Sequence, residues 1–349
     1  MNLNNNSLTI GNMIIVMQKS STEEQVQRII RELEEKGLQP QPLIGTERTV
    51  IAVIGDERLL DERHFRGLPG VSKVMTVLQP FKLASRDTKH EDTIVNVSGV
   101  EIGGKELVVM AGPCSVEGHE QLLETAKAVK AAGAKILRGG AFKPRTSPHS
   151  FQGMGEEGLK IMKAVSEEVG IPTVTETLDP RHVELVEKYV DMFQIGARNM
   201  QNFELLKEVG KTQTPVLLKR GPSSTIQEFI LAAEYIMKEG NLNVVLCERG
   251  IKTFETDTRN TLPLATVPLI KEMSHLPIIV DPSHGTGRRS FIKPMSLAGV
   301  AAGADGLMIE VHPNPDEAWT DGDQSITPQA FEEIMKAAKP VAGAVDRTL

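Results

Sequence analysis

From about Thr93 onward one pattern repeats: a short apolar run, a polar or glycine-bearing loop, then a segment of helical periodicity. Apolar runs predict eight strands, at Leu107–Ala111, Ala134–Leu137, Thr173–Thr175, Met192–Ile195, Val216–Leu218, Val244–Leu246, Ile278–Val280 and Leu307–Ile309. Helical patterns lie between several of them, at Gln121–Ala132, Gly158–Val169, Ile226–Met237 and Ser296–Ala302, and one near Gln329–Ala338 closes the chain. Eight such units over roughly 250 residues have the size and order of a (β/α)8 TIM barrel. An open doubly wound sheet is the alternative, and the regularity of eight repeats favours closure. A hairpin near Ile94–Ile102, turning at Ser98-Gly99, is expected to plug one end.

Barrel sites are built from the loops after the C-terminal ends of the strands. Here each predicted strand is followed by polar groups: Gly112-Pro113-Cys114-Ser115, Arg138 to Ser150, Glu176, Gly196-Ala197-Arg198-Asn199, Lys219-Arg220-Gly221, Cys247-Glu248-Arg249-Gly250, Asp281-Pro282-Ser283-His284-Gly285 and Glu310-Val311-His312-Pro313. The second of these, Arg138-Gly139-Gly140-Ala141-Phe142-Lys143-Pro144-Arg145-Thr146-Ser147, carries three cations among glycines and a proline that keep a helix from starting. On its own it reads equally as a solvated basic loop. Its place after a barrel strand turns it toward the mouth.

Two chemistries meet there. Arg138, Lys143, Arg145, Arg198, Lys219 and Arg249 would share one cavity of a chain whose net charge is −7. Cations gathered in an acidic protein point to two phosphates, or a phosphate and a carboxylate, bound together, and the overall charge argues against a nucleic-acid partner. Cys114, His284, Glu310 and Asp321 offer one thiolate, one imidazole and two carboxylates, a mixture suited to Mn, Fe, Co or Zn. His284 reads equally as a helix cap, Asp321 as a turn residue and Cys114 as a small core residue; Cys247 reads as structural.

Before the barrel, β-α-β-β-α-β order is predicted: strands at Met13–Met17, Gln39–Ile44, Thr49–Ile54 and Val71–Leu78, and helices starting near Ser21, the expected N-cap, and over Leu59–Phe65. This is the ferredoxin-like order. Lacking a ligand cluster, the module reads as a ligand sensor or an oligomerisation surface. Residues 1–12 read as a disordered tail, 13–79 as the module, 80–92 as a linker and 93–349 as the barrel. The N-terminus has no secretory pattern, no apolar run approaches the roughly 20 residues of a membrane span, and two cysteines suit a reducing cytoplasm.

Taken together, Ala111-Gly112-Pro113-Cys114-Ser115, Leu137-Arg138-Gly139-Gly140, Lys143-Pro144-Arg145-Thr146-Ser147, Gln194-Ile195-Gly196-Ala197-Arg198, Leu218-Lys219-Arg220-Gly221, Asp281-Pro282-Ser283-His284 and Glu310-Val311-His312-Pro313 resemble the 3-deoxy-D-arabino-heptulosonate 7-phosphate (DAHP) synthases, in the branch related to octulosonate phosphate synthases. The resemblance runs from Met13 to the last helix. It implies condensation of phosphoenolpyruvate with erythrose 4-phosphate and water to DAHP and phosphate, the entry to aromatic amino acids. It gives Cys114, His284, Glu310 and Asp321 the metal-ligand roles. It sets Arg198, Lys219 and Arg249 on the phosphoenolpyruvate phosphate, Arg138 and Lys143 on its carboxylate, and Arg145 and Thr146 on erythrose 4-phosphate. Glu176 and Lys143 both stand as proton carriers. The octulosonate enzymes typically read Lys-Ala-Asn-Arg-Ser where this chain has Lys143-Pro144-Arg145-Thr146, so the four-carbon acceptor is expected. The resemblance further implies a homotetramer and an aromatic amino acid effector, tyrosine or phenylalanine, bound by the N-terminal module. A non-catalytic sensor that merely keeps the fold is the remaining alternative.

Overall fold

In the computed structural model, residues 13–45, 48–54, 60–76, 80–144, 147 and 149–349 are described. The expected tail, residues 1–12, and both Arg145 and Thr146 lie outside them. The chain divides into two units, Met1–Glu91 with Met273–His275, and Asp92–Glu272 with Leu276–Leu349.

The first unit runs β1 (Met13–Met17), α1 (Glu23–Glu35), β2 (Gln39–Ile44), β3 (Thr49–Ile54), α2 (Glu62–Arg66) and β4 (Val71–Thr76). Its sheet has the order β2-β3-β1-β4, with antiparallel neighbours. Strand alternation explains why it holds together. Met13, Ile15 and Met17 face one way and meet Val26, Ile29 and Leu33 of α1 and Phe65 of α2, while Ile14 and Val16 face the other way beside Val50. Each fully buried Val, Ile or Phe of such a cluster contributes about 1.5–3 kcal/mol. The cap of α1 is one residue later than expected. Thr22, not Ser21, accepts the Gln25 N–H while the Gln25 side chain accepts the Thr22 N–H. The polar segment after β4 is packed rather than solvated at its start. Phe81, Leu83 and Ala84 are fully buried, and the His275 ring lies 2.6 Å from the Leu83 carbonyl.

The second unit opens with the hairpin β5 (Val95–Val97) and β6 (Val100–Ile102) and continues β7 (Val108–Gly112), α3 (His119–Ala131), β8 (Ile136–Arg138), α4 (Glu156–Val169), β9 (Thr173–Glu176), α5 (Val183–Glu187), β10 (Met192–Ile195), α6 (Phe203–Gly210), β11 (Val216–Lys219), α7 (Ile226–Lys238), β12 (Val244–Glu248), α8 (Thr266–Met273), β13 (Ile278–Val280), α9 (Pro282–Thr286), α10 (Arg289–Ala301), β14 (Gly306–Glu310) and α11 (Pro328–Ala344). Strands β7 to β14 close into a parallel barrel, so the fold is a TIM barrel with an N-terminal ferredoxin-like domain. The hairpin is the expected plug: Val95, Val97 and Ile102 pack against Val108, Ile136, Val174, Leu217 and Val245, which sit early in their strands. The later strand positions and the loops beyond them are left to build a site at the opposite end. Among the described residues no helix is long and apolar enough to cross a membrane.

Candidate active site

The strand ends deliver their polar groups to one cavity of about 560 Å³. It is lined by Lys143, Glu176, Arg198, Lys219, Arg249, His284 and Asp321, with Gln194, Lys252, Arg259 and Asn260 among its further walls. Close approach is built in at Gly196, where a Cβ would fall 1.8 Å from Glu176 Oε1; only glycine lets that carboxylate cross the loop.

On one side of the mouth the charges are matched to one another. Arg138 donates to Glu310 Oε1 at 2.7 Å and to the Pro113 carbonyl at 2.9 Å, and both ionic side chains are nearly inaccessible. Lys143 donates to the Cys114 carbonyl at 2.9 Å and to its Sγ at 3.0 Å. Gln324 donates to Glu310 Oε2 at 2.6 Å. Burial raises the Glu310 pKa, but His284, Arg138 and Lys143 outweigh it and hold the carboxylate down at about 2. Burial, reinforced by Glu310, pushes the Cys114 thiol up to about 12, and the thiol donates to Asp321 Oδ2 at 3.1 Å.

These groups fit a divalent ion. One donor atom from each of Cys114, Glu310 and Asp321 lies within 4.8 Å of the others. Ligands bonded at ~2.0–2.3 Å to one ion sit ~3–4 Å apart, a spacing the Cys114–Asp321 contact already has. His284 is outside that mutually close set and adjoins it through Glu310. Asp281, ionised well below the usual carboxylate range, accepts the His284 Nδ1–H at 2.7 Å. Burial lowers the ring's pKa while Asp281 and Glu310 pull it up, and its Nε2 lies 3.4 Å from Glu310 Oε1. A carboxylate on the Nδ1 side is the arrangement that orients a metal-ligating histidine and leaves Nε2 toward the ion.

The other side of the mouth is less matched. Lys219 is paired with Asp281 at 2.6 Å. Arg198 donates to the Pro144 carbonyl at 3.0 Å, tying down the loop after β8, and Arg249 donates to the Gly250 carbonyl at 3.4 Å. Among the described residues neither arginine has an acidic partner within ion-pair distance. Burial lowers the Arg249 pKa, with Arg259 adding to the effect and Asp281 opposing it. The crowding of cations expected from the sequence is thus relieved at Arg138 and Lys219 by acidic groups of the protein itself, while among the described residues Lys143, Arg198 and Arg249 have none within ion-pair distance.

Asp281, Lys252, Arg259 and Asn260 were not singled out by sequence. Asp281 had a signal, since it precedes Pro282 at the start of a short helix and accepts the His284 N–H at 2.9 Å as its cap. The others sit in a long loop after β12 whose course no periodicity foretells.

Fold and site together define a (β/α)8 enzyme whose mouth sets a thiol–carboxylate donor group beside cations suited to anionic substrates. The DAHP synthetase I family model matches residues 87–346, and the DAHP synthase ferredoxin-like domain matches residues 13–79; the chain belongs to the DAHP synthetase I family. It is 48% identical over 333 residues to the phospho-2-dehydro-3-deoxyheptonate aldolase of Thermotoga maritima, covering 95% of this chain and 98% of that one. A 2-dehydro-3-deoxyphosphooctonate aldolase of Syntrophobacter fumaroxidans is 31% identical over 258 residues, covering 69% of this chain and 88% of its own length. The crystal structure of the Thermotoga maritima DAHP synthase superposes with a TM-score of 0.77 at 47% identity, over 97% of this chain and 99% of that one. A truncated form of the Thermotoga enzyme gives 0.72 over 76% of this chain and 98% of its own. The family is metal-dependent, in keeping with the donor group at the mouth.

Proposed function

We propose that the two sides of the mouth divide the labour of the family's reaction. That reaction is the condensation of phosphoenolpyruvate with erythrose 4-phosphate and water to DAHP and phosphate, the first step of the shikimate pathway, and this chain carries it out. Arg198, Lys219 and Arg249 hold the phosphoenolpyruvate phosphate, and Arg138 and Lys143 face its carboxylate. Arg145 and Thr146 take the erythrose 4-phosphate. Positive charge around both phosphates offsets their repulsion and brings the two reacting carbons within reach. Carbon 3 of the enol ester attacks the aldehyde, water adds at carbon 2, and the hemiketal phosphate loses phosphate by C–O cleavage.

Cys114, His284, Glu310 and Asp321 would hold the divalent ion, Mn, Fe, Co or Zn. That ion, when bound, supplies Lewis acidity at the aldehyde oxygen. Burial raises the Glu176 pKa against the pull of Lys143 and Lys219, so Glu176 is suited to keep a proton on its carboxyl. Lys143, whose pKa is lowered by burial but raised further by Cys114, Glu176 and Glu310, stays an ammonium. Glu176 and Lys143 both line the cavity and stand as its proton carriers.

The observation that carries this reading is the cavity where Arg198, Lys219 and Arg249 converge beside Asp321 and His284. The test is phosphate release by the purified protein with both substrates and each metal in turn. Release with erythrose 4-phosphate supports it. Release only with arabinose 5-phosphate would support the octulosonate reaction, and no release with either acceptor would leave a non-catalytic fold.

We further assign residues 93–349 to catalysis and 13–79 to regulation, with 80–92 between them. The assembly is a homotetramer, checked by light scattering, and the location is the cytoplasm. The first unit contains a cavity of about 300 Å³ lined by Val16, Leu43 and Val50 with Arg48 and Glu91. Apolar walls plus charges of both signs, Arg48 and Lys89 with Asp87 and Glu91, suit an amino acid effector, tyrosine or phenylalanine. Initial rates unaffected by either would remove that assignment.

A further inference from the structure

Lys219 and Arg249 lie at the ends of neighbouring strands, β11 and β12, and each has a charged neighbour in sequence: Arg220 after the lysine, Glu248 before the arginine. Strand alternation separates the four. Leu217, Val245 and Cys247 belong to the barrel interior, so Lys219 and Arg249 continue the inward phase and line the cavity. Arg220 and Glu248 are on the opposite phase and do not line it.

Behind the wall these two meet. Arg220 Nη1 donates to Glu248 Oε2 at 2.7 Å and to Thr266 Oγ1 at 3.2 Å, while its Nε donates to the Ser224 carbonyl at 3.0 Å. The other carboxylate oxygen, Glu248 Oε1, accepts the Gly250 N–H at 2.8 Å. That N–H belongs to the residue directly after Arg249. Gly250 has φ +88, and a Cβ there would fall 2.7 Å from Asn260 Cβ, so the turn it makes is fixed. The strand ends are tied as well, Arg220 N–H to the Cys247 carbonyl at 3.0 Å and Asp281 N–H to the Glu248 carbonyl at 2.9 Å. Arg220 is 5% exposed and Glu248 fully buried. For stability alone, a well-packed apolar pair would serve as well as a buried ion pair. Here the pair links the backbones that carry two site cations.

We propose that Arg220 and Glu248 are positioning residues that fix the separation of Lys219 and Arg249 and so pre-form the phosphate seat of the enol donor. This rests on the reading that Lys219 and Arg249 hold that phosphate. The carboxylate takes the neighbouring strand through one oxygen and the Arg249 turn through the other, so loss of its charge loosens both cations together.

The test uses the full-length, metal-loaded enzyme with Glu248→Gln, Arg220→Met and Arg220→Lys. Initial rates are measured against each substrate, with inorganic phosphate as competitor of phosphoenolpyruvate and thermal unfolding run alongside. In Glu248→Gln, the KM for phosphoenolpyruvate and the inhibition constant of phosphate should rise together by about ten-fold, the size typical of lost outer-shell support. The KM for erythrose 4-phosphate should stay within about two-fold, since among the described residues the side chains of the pair bond to each other, Ser224, Thr266 and Gly250. Arg220→Lys should recover part of what Arg220→Met loses; should Arg220→Met fail to fold, the isosteric Glu248→Gln carries the test. A folded Glu248→Gln enzyme with an unchanged phosphoenolpyruvate KM, or with both KM values raised equally, overturns the proposal. Arg249→Ala separates the two layers: an unchanged phosphoenolpyruvate KM there overturns the phosphate seat itself. A raised one beside an unaffected Glu248→Gln overturns only the role of the pair.

Discussion

The two sides of the barrel mouth solve the same problem differently. Around Glu310, cation and acid are matched within the protein, Arg138 on Glu310, while Lys143 rests on the Cys114 carbonyl and sulfur. Around Arg198 and Arg249, the cations are held by backbone carbonyls and face the cavity without an acidic partner. A matched charge is part of the fold's own electrostatics, and removing one member strands the other in a low-dielectric interior. An unmatched charge at a cavity is stored for a ligand, and removing it relieves the empty protein. Stability and binding should therefore respond in opposite ways on the two sides.

The largest effect is expected on the matched side. Arg138→Met leaves Glu310 buried without its cation and should lower unfolding free energy by about 3–5 kcal/mol, read from denaturant unfolding. A loss below about 1 kcal/mol would mean that Gln324 and its neighbours satisfy Glu310 without Arg138. Next is Arg249→Ala, which should raise the KM for phosphoenolpyruvate by about 30–100-fold, the cost of one charge-assisted contact to phosphate. Its unfolding free energy should fall by less than that of Arg138→Met, since no buried acid is left without its cation. Arg198 is exposed, so its contact is more screened, and Arg198→Ala should cost about ten-fold in the same constant. The same contrast can be read on the empty enzyme. Inorganic phosphate at 100 times its dissociation constant should stabilise the wild type by about 2.7 kcal/mol, and the same concentration should do little for Arg249→Ala.

The barrel was legible because each short apolar run ends at a glycine or a charge, a pattern that survives errors of one or two residues at the strand ends. The helices that went unread, Val183–Glu187, Phe203–Gly210, Thr266–Met273 and Pro282–Thr286, span five to eight residues, too few turns for periodicity to register. Of the six cations assigned to the mouth, Lys143, Arg198, Lys219 and Arg249 line the cavity, Arg138 is buried against Glu310 and does not, and the strand ends did not tell which were already paired. Lys219 and Asp281 are 62 residues apart, and Arg138 and Glu310 are 172 apart. Only barrel closure brings them together. Asp281 shows the same limit: it caps the short helix Pro282–Thr286, and its contact with the His284 ring depends on a ring that only the folded chain turns toward it. In the N-terminal module, the strand Gln39–Ile44 supplies Leu43 to a cavity that Arg48 and Glu91 reach from beyond it.

The central claim is that one side of the mouth holds the metal and the other the phosphate. It is tested most directly by measuring both bindings in two variants: metal content after dialysis, and phosphoenolpyruvate affinity by calorimetry, for Cys114→Ala and Arg249→Ala. The account predicts that Cys114→Ala loses metal and keeps most of its phosphoenolpyruvate affinity, while Arg249→Ala keeps its metal and loses that affinity. Retention of a full metal complement by Cys114→Ala, or wild-type phosphoenolpyruvate affinity in Arg249→Ala, would contradict it.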